Sequence, residues 1–162
     1  MSGKVGRTRA LTALLDAGIE HTVHEYVHDP AASSFGGEAA EQLGQNANRI
    51  FKTLMVRLAD GEYVVAVIPV THHLSLKAVA RAAGSKRAQM ADPQVAQQRT
   101  GYVLGGISPL GQAIAHRVFL DESALDAETF VVSAGRRGLS VEAASLDLAD
   151  LMNADLAPLV AI

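Results

Sequence analysis

Residues 100–111, Thr-Gly-Tyr-Val-Leu-Gly-Gly-Ile-Ser-Pro-Leu-Gly, gather four glycines, a serine and a proline in one run. Glycine loses more backbone freedom on folding than any other residue, so such a run is costly to order unless its positions need φ > 0 or a bare backbone. Bare N–H groups can cradle a phosphate, a carbonyl or a developing oxyanion. A tight connection between strands is the plainer reading. No Gly-Lys-Ser/Thr follows, and the spacing does not fit the dinucleotide fingerprint.

Other residues could also do chemistry. If Leu54, Val56 and Leu58 face a core, Lys52 shares their side of the strand, either snorkelling to water from its end or serving as a functional cation. Arg57 falls on the opposite side as solvated charge. His24, Tyr26 and His28 share a strand face; zinc is the sharper reading, but nothing nearby completes a ligand set and hydrogen-bonded imidazoles are the plainer one. His72 and His73 are adjacent and point oppositely. Gly135-Arg136-Arg137-Gly138 is a flexible basic loop that could hold a phosphate or carry a surface charge pair, as Lys86 and Arg87 do at a solvated turn. With no cysteine there is no thiol nucleophile in the protein, and no convincing Ser/His/Asp set is present. No cofactor and no metal are expected.

The elements that must position these groups follow from periodicity and punctuation. Residues 9–17 set Ala10, Leu11, Leu14 and Leu15 at helical spacing before Gly18. Residues 21–28 read as a strand, and 31–37 as a small-residue loop whose Phe35 is either buried or a lid. Residues 38–43 form a short helix closed by Gly44, and Asn46 caps a further turn. Two β-rich runs, 51–58 and 62–70, flank Asp60-Gly61 and predict an antiparallel hairpin. Helices follow at 76–83, capped by Ser75 and closed by Gly84, and from Pro93 to about Arg99, capped by Asp92. Short strands are expected at 117–120, 130–133 and 139–141, with a turn at 121–125 and a final helix at 146–152. The consistent architecture is α+β, a mostly antiparallel mixed sheet or barrel-like core with flanking helices. A tail at 1–8 and one domain at 9–162 are expected.

The chain has 162 residues, a formal charge of −3 and 19% charged residues. That length supports a core without staples. An acidic balance argues against coating long nucleic acid, though recognition of a short piece remains open. The basic amino-terminal residues lack an apolar run and nothing spans a membrane by length, so the chain reads as cytoplasmic.

Tyr26-Val27-His28-Asp29-Pro30, Phe35-Gly36, Phe51-Lys52-Thr53-Leu54, Met90-Ala91-Asp92-Pro93, the run from Thr100 to Gly111, and Val132-Ser133 with Arg137-Gly138-Leu139 occur in order across nearly the whole chain. Together they resemble the YbaK family of freestanding Cys-tRNA(Pro) deacylases, related to the editing domain of bacterial prolyl-tRNA synthetase. The resemblance implies a trans-editing enzyme acting on the acceptor end of aminoacyl-tRNA beside prolyl-tRNA synthetase. It implies that Lys52 holds the terminal adenosine and its phosphate, that Gly105, Gly106 and Ser108 surround the aminoacyl carbonyl, and that Tyr26, Phe35, Thr53, Ser133 and Arg137 line the pocket. It also implies that the substrate's own cysteinyl thiol attacks its carbonyl and leaves as a thiolactone. Ser140 stands where the family commonly carries an aspartate that would hold the substrate amine. That departure keeps two alternatives open: a deacylase of another misacylated tRNA such as Ala-tRNA(Pro), and a module that binds the acceptor end without turnover.

Overall fold

The computed structural model describes residues 7–26 and 46–162. The sequence expectations for Phe35, for the loop at 31–37 and for the helix at 38–43 lie outside the described residues, as do those for Val27 and His28.

Among the described residues eight strands form two sheets: β1 (His21–Glu25), β2 (Phe51–Leu58), β3 (Tyr63–Pro69), β4 (Ala88–Met90), β5 (Val118–Asp121), β6 (Thr129–Arg136), β7 (Leu139–Ala144) and β8 (Ala154–Ala157). One sheet runs β1-β7-β6 and the other β4-β2-β3-β5-β8. The pairs β3–β5 and β5–β8 are parallel and the rest antiparallel, which bears out the mostly antiparallel mixed sheet. The predicted hairpin is β2–β3, with Gly61 at φ 93° at its tip. No described helix is long and apolar enough to cross a membrane.

The two sheets face each other across the main core. Phe51 and Met55 of β2, Val65 and Val67 of β3, and Val118 and Leu120 of β5 meet Phe130, Val132, Ala134, Leu139 and Val141 from β6 and β7. Helix α1 (Arg9–Asp16) packs Ala10, Leu11 and Leu14 here; Leu15, expected on the same face, is 51% exposed because it falls off the narrow stripe that an eight-residue helix can bury. Thr8, at the end of the expected tail, is the helix N-cap and donates its hydroxyl to the Ala134 carbonyl. A second core covers the other side of the larger sheet, where Val56, Leu58, Val64, Ala66, Ile68 and Phe119 meet Val79 of α2 (Leu76–Ala83) and Leu159. Burial on both faces explains why β3 reads as an almost unbroken apolar run.

The sheets join at one parallel bridge between Ile50 and Val131, giving the barrel-like closure. Arg49 clamps this corner: Nη1 donates to the Ser123 carbonyl at 2.9 Å, Nη2 to Ala124 at 2.7 Å, and Nε and Nη2 to Thr129 at 3.1 and 2.9 Å. A lysine ammonium cannot spread over three carbonyls as a planar guanidinium does. Arg49→Lys is therefore expected to lower stability by about 2 kcal/mol, read as a lower urea midpoint at unchanged slope; an unchanged midpoint would show the clamp to be idle.

The remaining differences from sequence are local. Strand β6 extends through Gly135 and Arg136 by way of a bulge between Ser133 and Arg136, so the basic loop is the tight end of a hairpin. Helix α3 (Pro93–Thr100) has its predicted Asp92 cap, and α4 (Ser145–Leu151) starts one residue early.

Candidate active site

The bridge that joins the sheets also sets which side chains meet. Ile50, Val131, Tyr26 and Val70 form a small apolar cluster on the outer face of the barrel wall. Because the bridge is parallel, alternation carries Lys52 and Ser133, each two residues onward, to the same outer face on either side of the seam. Ser133 pairs directly with Ser140 across β6–β7, and Ser140 with His24 across β7–β1, which places the three in one row at neighbour distances of about 4.5–5.5 Å. The backbone of Tyr26 closes the row by donating to the Gly138 carbonyl at 2.9 Å. Four residues named from sequence, Tyr26, Lys52, Ser133 and Ser140, are thus brought together.

Lys52 is half-buried opposite Ile68, which is fully buried. Burial alone pushes its ammonium below the ordinary lysine range, and no carboxylate pairs with it among the described residues. Thr53 points the other way, towards the main core, where its hydroxyl is buried and unpaired among the described residues. Lys52 and Thr53 can still serve one ligand at the strand edge, since β4 pairs only with Val56, Arg57 and Leu58 and leaves the start of β2 open on the seam side.

The glycine run is a folded loop after α3. Tyr102 staples it: its hydroxyl donates to the Leu110 carbonyl at 2.6 Å, and burial pushes its pKa up to about 12. Gly101, Gly105 and Gly111 sit at φ 82°, 82° and 62°, as a run of costly glycines should. Gly106 is needed for a different reason, because its Cα lies against the backbone of Arg136 and Arg137. Its N–H closes a turn on the Val103 carbonyl at 2.9 Å, and the Leu104 N–H donates to Gln97 Oε1 at 2.9 Å. The N–H groups of Val103, Gly105, Ile107, Ser108 and Gly111 have no protein acceptor among the described residues, so Gly105 and Ile107 are two of several bare donors in this loop. Ser108 is fully buried, and its Oγ accepts from the Leu110 N–H at 3.2 Å, so its hydroxyl shapes the loop from within. Arg137 Nε donates to the Leu104 carbonyl at 2.7 Å and ties the hairpin end to the loop.

Glu142 and Thr129 were not read from sequence, while His24 is the hydrogen-bonded imidazole of the plainer reading. His24 Nε2 lies 3.0 Å from Glu142 Oε1, and Thr129 Oγ1 donates to Glu142 Oε2 at 2.7 Å. The Thr129 hydroxyl first and then His24 hold the Glu142 carboxyl below its ordinary range against the opposing effect of burial. Glu142 is two residues beyond Ser140 and so shares its face. The period-two spacing of Ser140 and Glu142 was the available signal; the pairing of β1 with β7 that gives it meaning was not.

Comparison with known proteins adds a family. The family model described as an aminoacyl-tRNA editing domain matches residues 28–151. The chain is 39% identical over 118 residues to the "Putative Cys-tRNA(Pro)/Cys-tRNA(Cys) deacylase EbsC" of Enterococcus faecalis, covering 73% of this chain and 72% of that one. It is 32% identical over 102 residues to a proline–tRNA ligase of Acidithiobacillus ferrooxidans, covering 63% of this chain and 18% of the ligase. A solved structure of "a putative trans-editing enzyme for prolyl tRNA synthetase" superposes with a TM-score of 0.83 at 25% identity, covering 95% of this chain and 96% of that one.

Proposed function

The chain belongs to the aminoacyl-tRNA editing domain family, and from that premise we propose that it is a freestanding deacylase that removes cysteine from Cys-tRNA(Pro). The observation that carries this reading is Lys52, a half-buried cation with no carboxylate partner among the described residues, set across the seam from Ser133 and Ser140. Such a group is held out of water at a cost, and a phosphate supplies the missing counter-charge. In this reading Lys52 binds the phosphate and sugar of the terminal adenosine, while Tyr26, Thr53, Ser133 and Arg137 border the aminoacyl group.

An aminoacyl ester is already activated, so the protein's contribution is positioning and stabilisation of the oxyanion. The loop around Gly105 and Gly106 supplies backbone donors for it, among them the N–H groups of Gly105 and Ile107 that have no acceptor among the described residues. The chain has no cysteine, so the sulfur in the reaction is the substrate's. The cysteinyl sulfur attacks its own carbonyl carbon, the ester bond to the ribose oxygen breaks, and the thiol proton ends on that oxygen. The products are a thiolactone and tRNA with a free terminal hydroxyl. Selectivity over alanine is then largely chemical, because a small pocket discriminates a missing group by only about 1–3 kcal/mol.

Ser140 favours one competing reading, a deacylase of Ala-tRNA(Pro) or a similar substrate, since an uncharged side chain there makes no ion pair with the substrate amine. Deacylation of cysteinyl, alanyl and seryl tRNA(Pro) measured side by side decides it. Cysteine is expected to be released fastest; preferential release of alanine would transfer the assignment, and binding without release under single turnover would make the protein a recognition module. The match to a segment of proline–tRNA ligase supports action beside that synthetase.

A further inference from the structure

The end of the barrel that carries the glycine loop also carries a row of cations that the site does not use. Strands β2 and β6 run in the same direction through their bridge, so the carboxyl end of β2, at Leu58, and the hairpin end of β6, against which Gly106 packs, lie at the same end. There Arg57 pairs with Gln89 across β2–β4 and with Tyr63 across β2–β3, which sets all three on one face. Arg87 is two residues from Gln89 on the same side, its carbonyl bonded to the Ala59 N–H at 3.0 Å. Arg57, Arg87 and Gln89 line an open cavity of about 290 Å³ with Leu58, Ala59 and Ala88. The Arg99 guanidinium stacks 4.7 Å from the centre of the Tyr63 ring, and Arg99 is the last residue but one of α3, which delivers the chain into the glycine loop.

Charge and partnering distinguish this row from ordinary surface arginines. Arg57 and Arg87 are exposed and have no carboxylate partner among the described residues, whereas Arg117 nearby is held by Glu62 in two bonds of 2.8 and 2.9 Å. Asp60 and Asp92, the neighbouring acids, accept from the Glu62 and Gln94 N–H groups as turn and helix caps. Among the described residues Arg99 gives only its Nε to a protein partner, Nε2 of His116, whose Nδ1 is bonded to Gln112. Arg57, Arg87 and Gln89 thus border one cavity, and Arg99 lies over Tyr63, the cross-strand partner of Arg57.

We propose that Arg87, Gln89, Arg57 and Arg99 form a docking strip for the phosphate backbone of the tRNA acceptor stem, leading its aminoacylated end into the glycine loop. The proposal rests on the tRNA reading above and extends it to a surface. Planar, forked guanidinium donors left over from protein contacts match phosphate oxygens, and a short strip suits a chain of net charge −3 that cannot bind nucleic acid through its overall field. Such a contact sets binding more than chemistry.

The test is binding of 3′-labelled tRNA(Pro) by fluorescence anisotropy across a salt series, with deacylation kinetics measured on the same proteins. Arg57→Gln with Arg87→Gln is expected to weaken binding roughly tenfold or more at low salt and to flatten the slope of log K against log salt by about 1 to 2, raising KM. Arg57→Lys with Arg87→Lys, which keeps both charges, is expected to recover most of the loss. Unchanged affinity and slope in the glutamine variant, while the wild type binds and deacylates normally, would overturn the strip and leave the deacylase reading standing. A wild type that neither binds nor deacylates tRNA would remove both. Loss of binding to anionic lipid vesicles in the glutamine variant, with tRNA affinity intact, would also overturn the strip in favour of a membrane surface.

Discussion

Lys52→Met is expected to reduce deacylation of Cys-tRNA(Pro) by roughly 100-fold or more while leaving thermal stability equal to or above that of the wild type. The two effects separate because they have different origins. The lysine stem lies against the second core, opposite Ile68, and methionine preserves that apolar contact. What it removes is a cation on which only burial acts, with no carboxylate among the described residues to offset the lost hydration. A structural lysine would show the reverse pattern, with stability falling and activity following it. Lys52→Ala should lose activity equally but also some packing. Retention of wild-type turnover by both variants would remove Lys52 from the site. Because its pKa is lowered, the ammonium also deprotonates at a lower pH than an ordinary lysine, so substrate affinity is expected to weaken as pH rises through that lowered value, and this alkaline limb should be missing in Lys52→Met.

How much of this was legible depends on how local each signal is. The β2–β3 hairpin was readable because Asp60-Gly61 and its flanking β-branched runs are contiguous, and α2 and α3 because Ser75 and Asp92 cap them with their own side chains. Strands β4 and β8 were not, since Ala88–Met90 and Ala154–Ala157 have neither length nor alternation and exist by pairing with β2 and β5. The placement of Lys52 on the strand face shared with Leu54, Val56 and Leu58 followed from alternation along one strand. Its meeting with Ser133 and Ser140 needed the parallel bridge at Ile50 and the β6–β7 register, which are tertiary facts that only the family resemblance anticipated. The Arg57 strip went unread for the same reason. A residue that looks like solvated charge on its own strand acquires neighbours only when β4 and α3 come alongside.

Gly106→Ala is expected to cost about 1–3 kcal/mol of stability and, independently, to lower deacylation by roughly 100-fold at temperatures where the variant remains folded. A Cβ at Gly106 would stand 2.6 Å from Arg136 Cα, 2.8 Å from its carbonyl carbon and 2.9 Å from Arg137 N. All three are backbone atoms of the hairpin end, so no side chain can swing aside, and the loop itself must lift. Lifting it stretches the Arg137 bond to the Leu104 carbonyl and carries the N–H groups of Gly105 and Ile107 with it. Oxyanion donors lose most of their effect within such a displacement, because their value lies in being fixed before charge develops. Gly84→Ala separates the two losses. Gly84 closes α2 at φ 75° with open space around its Cα, so alanine there costs about 1 kcal/mol of backbone strain far from the loop and should leave turnover intact. Thermal unfolding and single-turnover deacylation of the two variants give the comparison. Turnover in Gly106→Ala equal to that of Gly84→Ala would mean that the loop packs against the hairpin only to close the barrel, and that the oxyanion is held elsewhere.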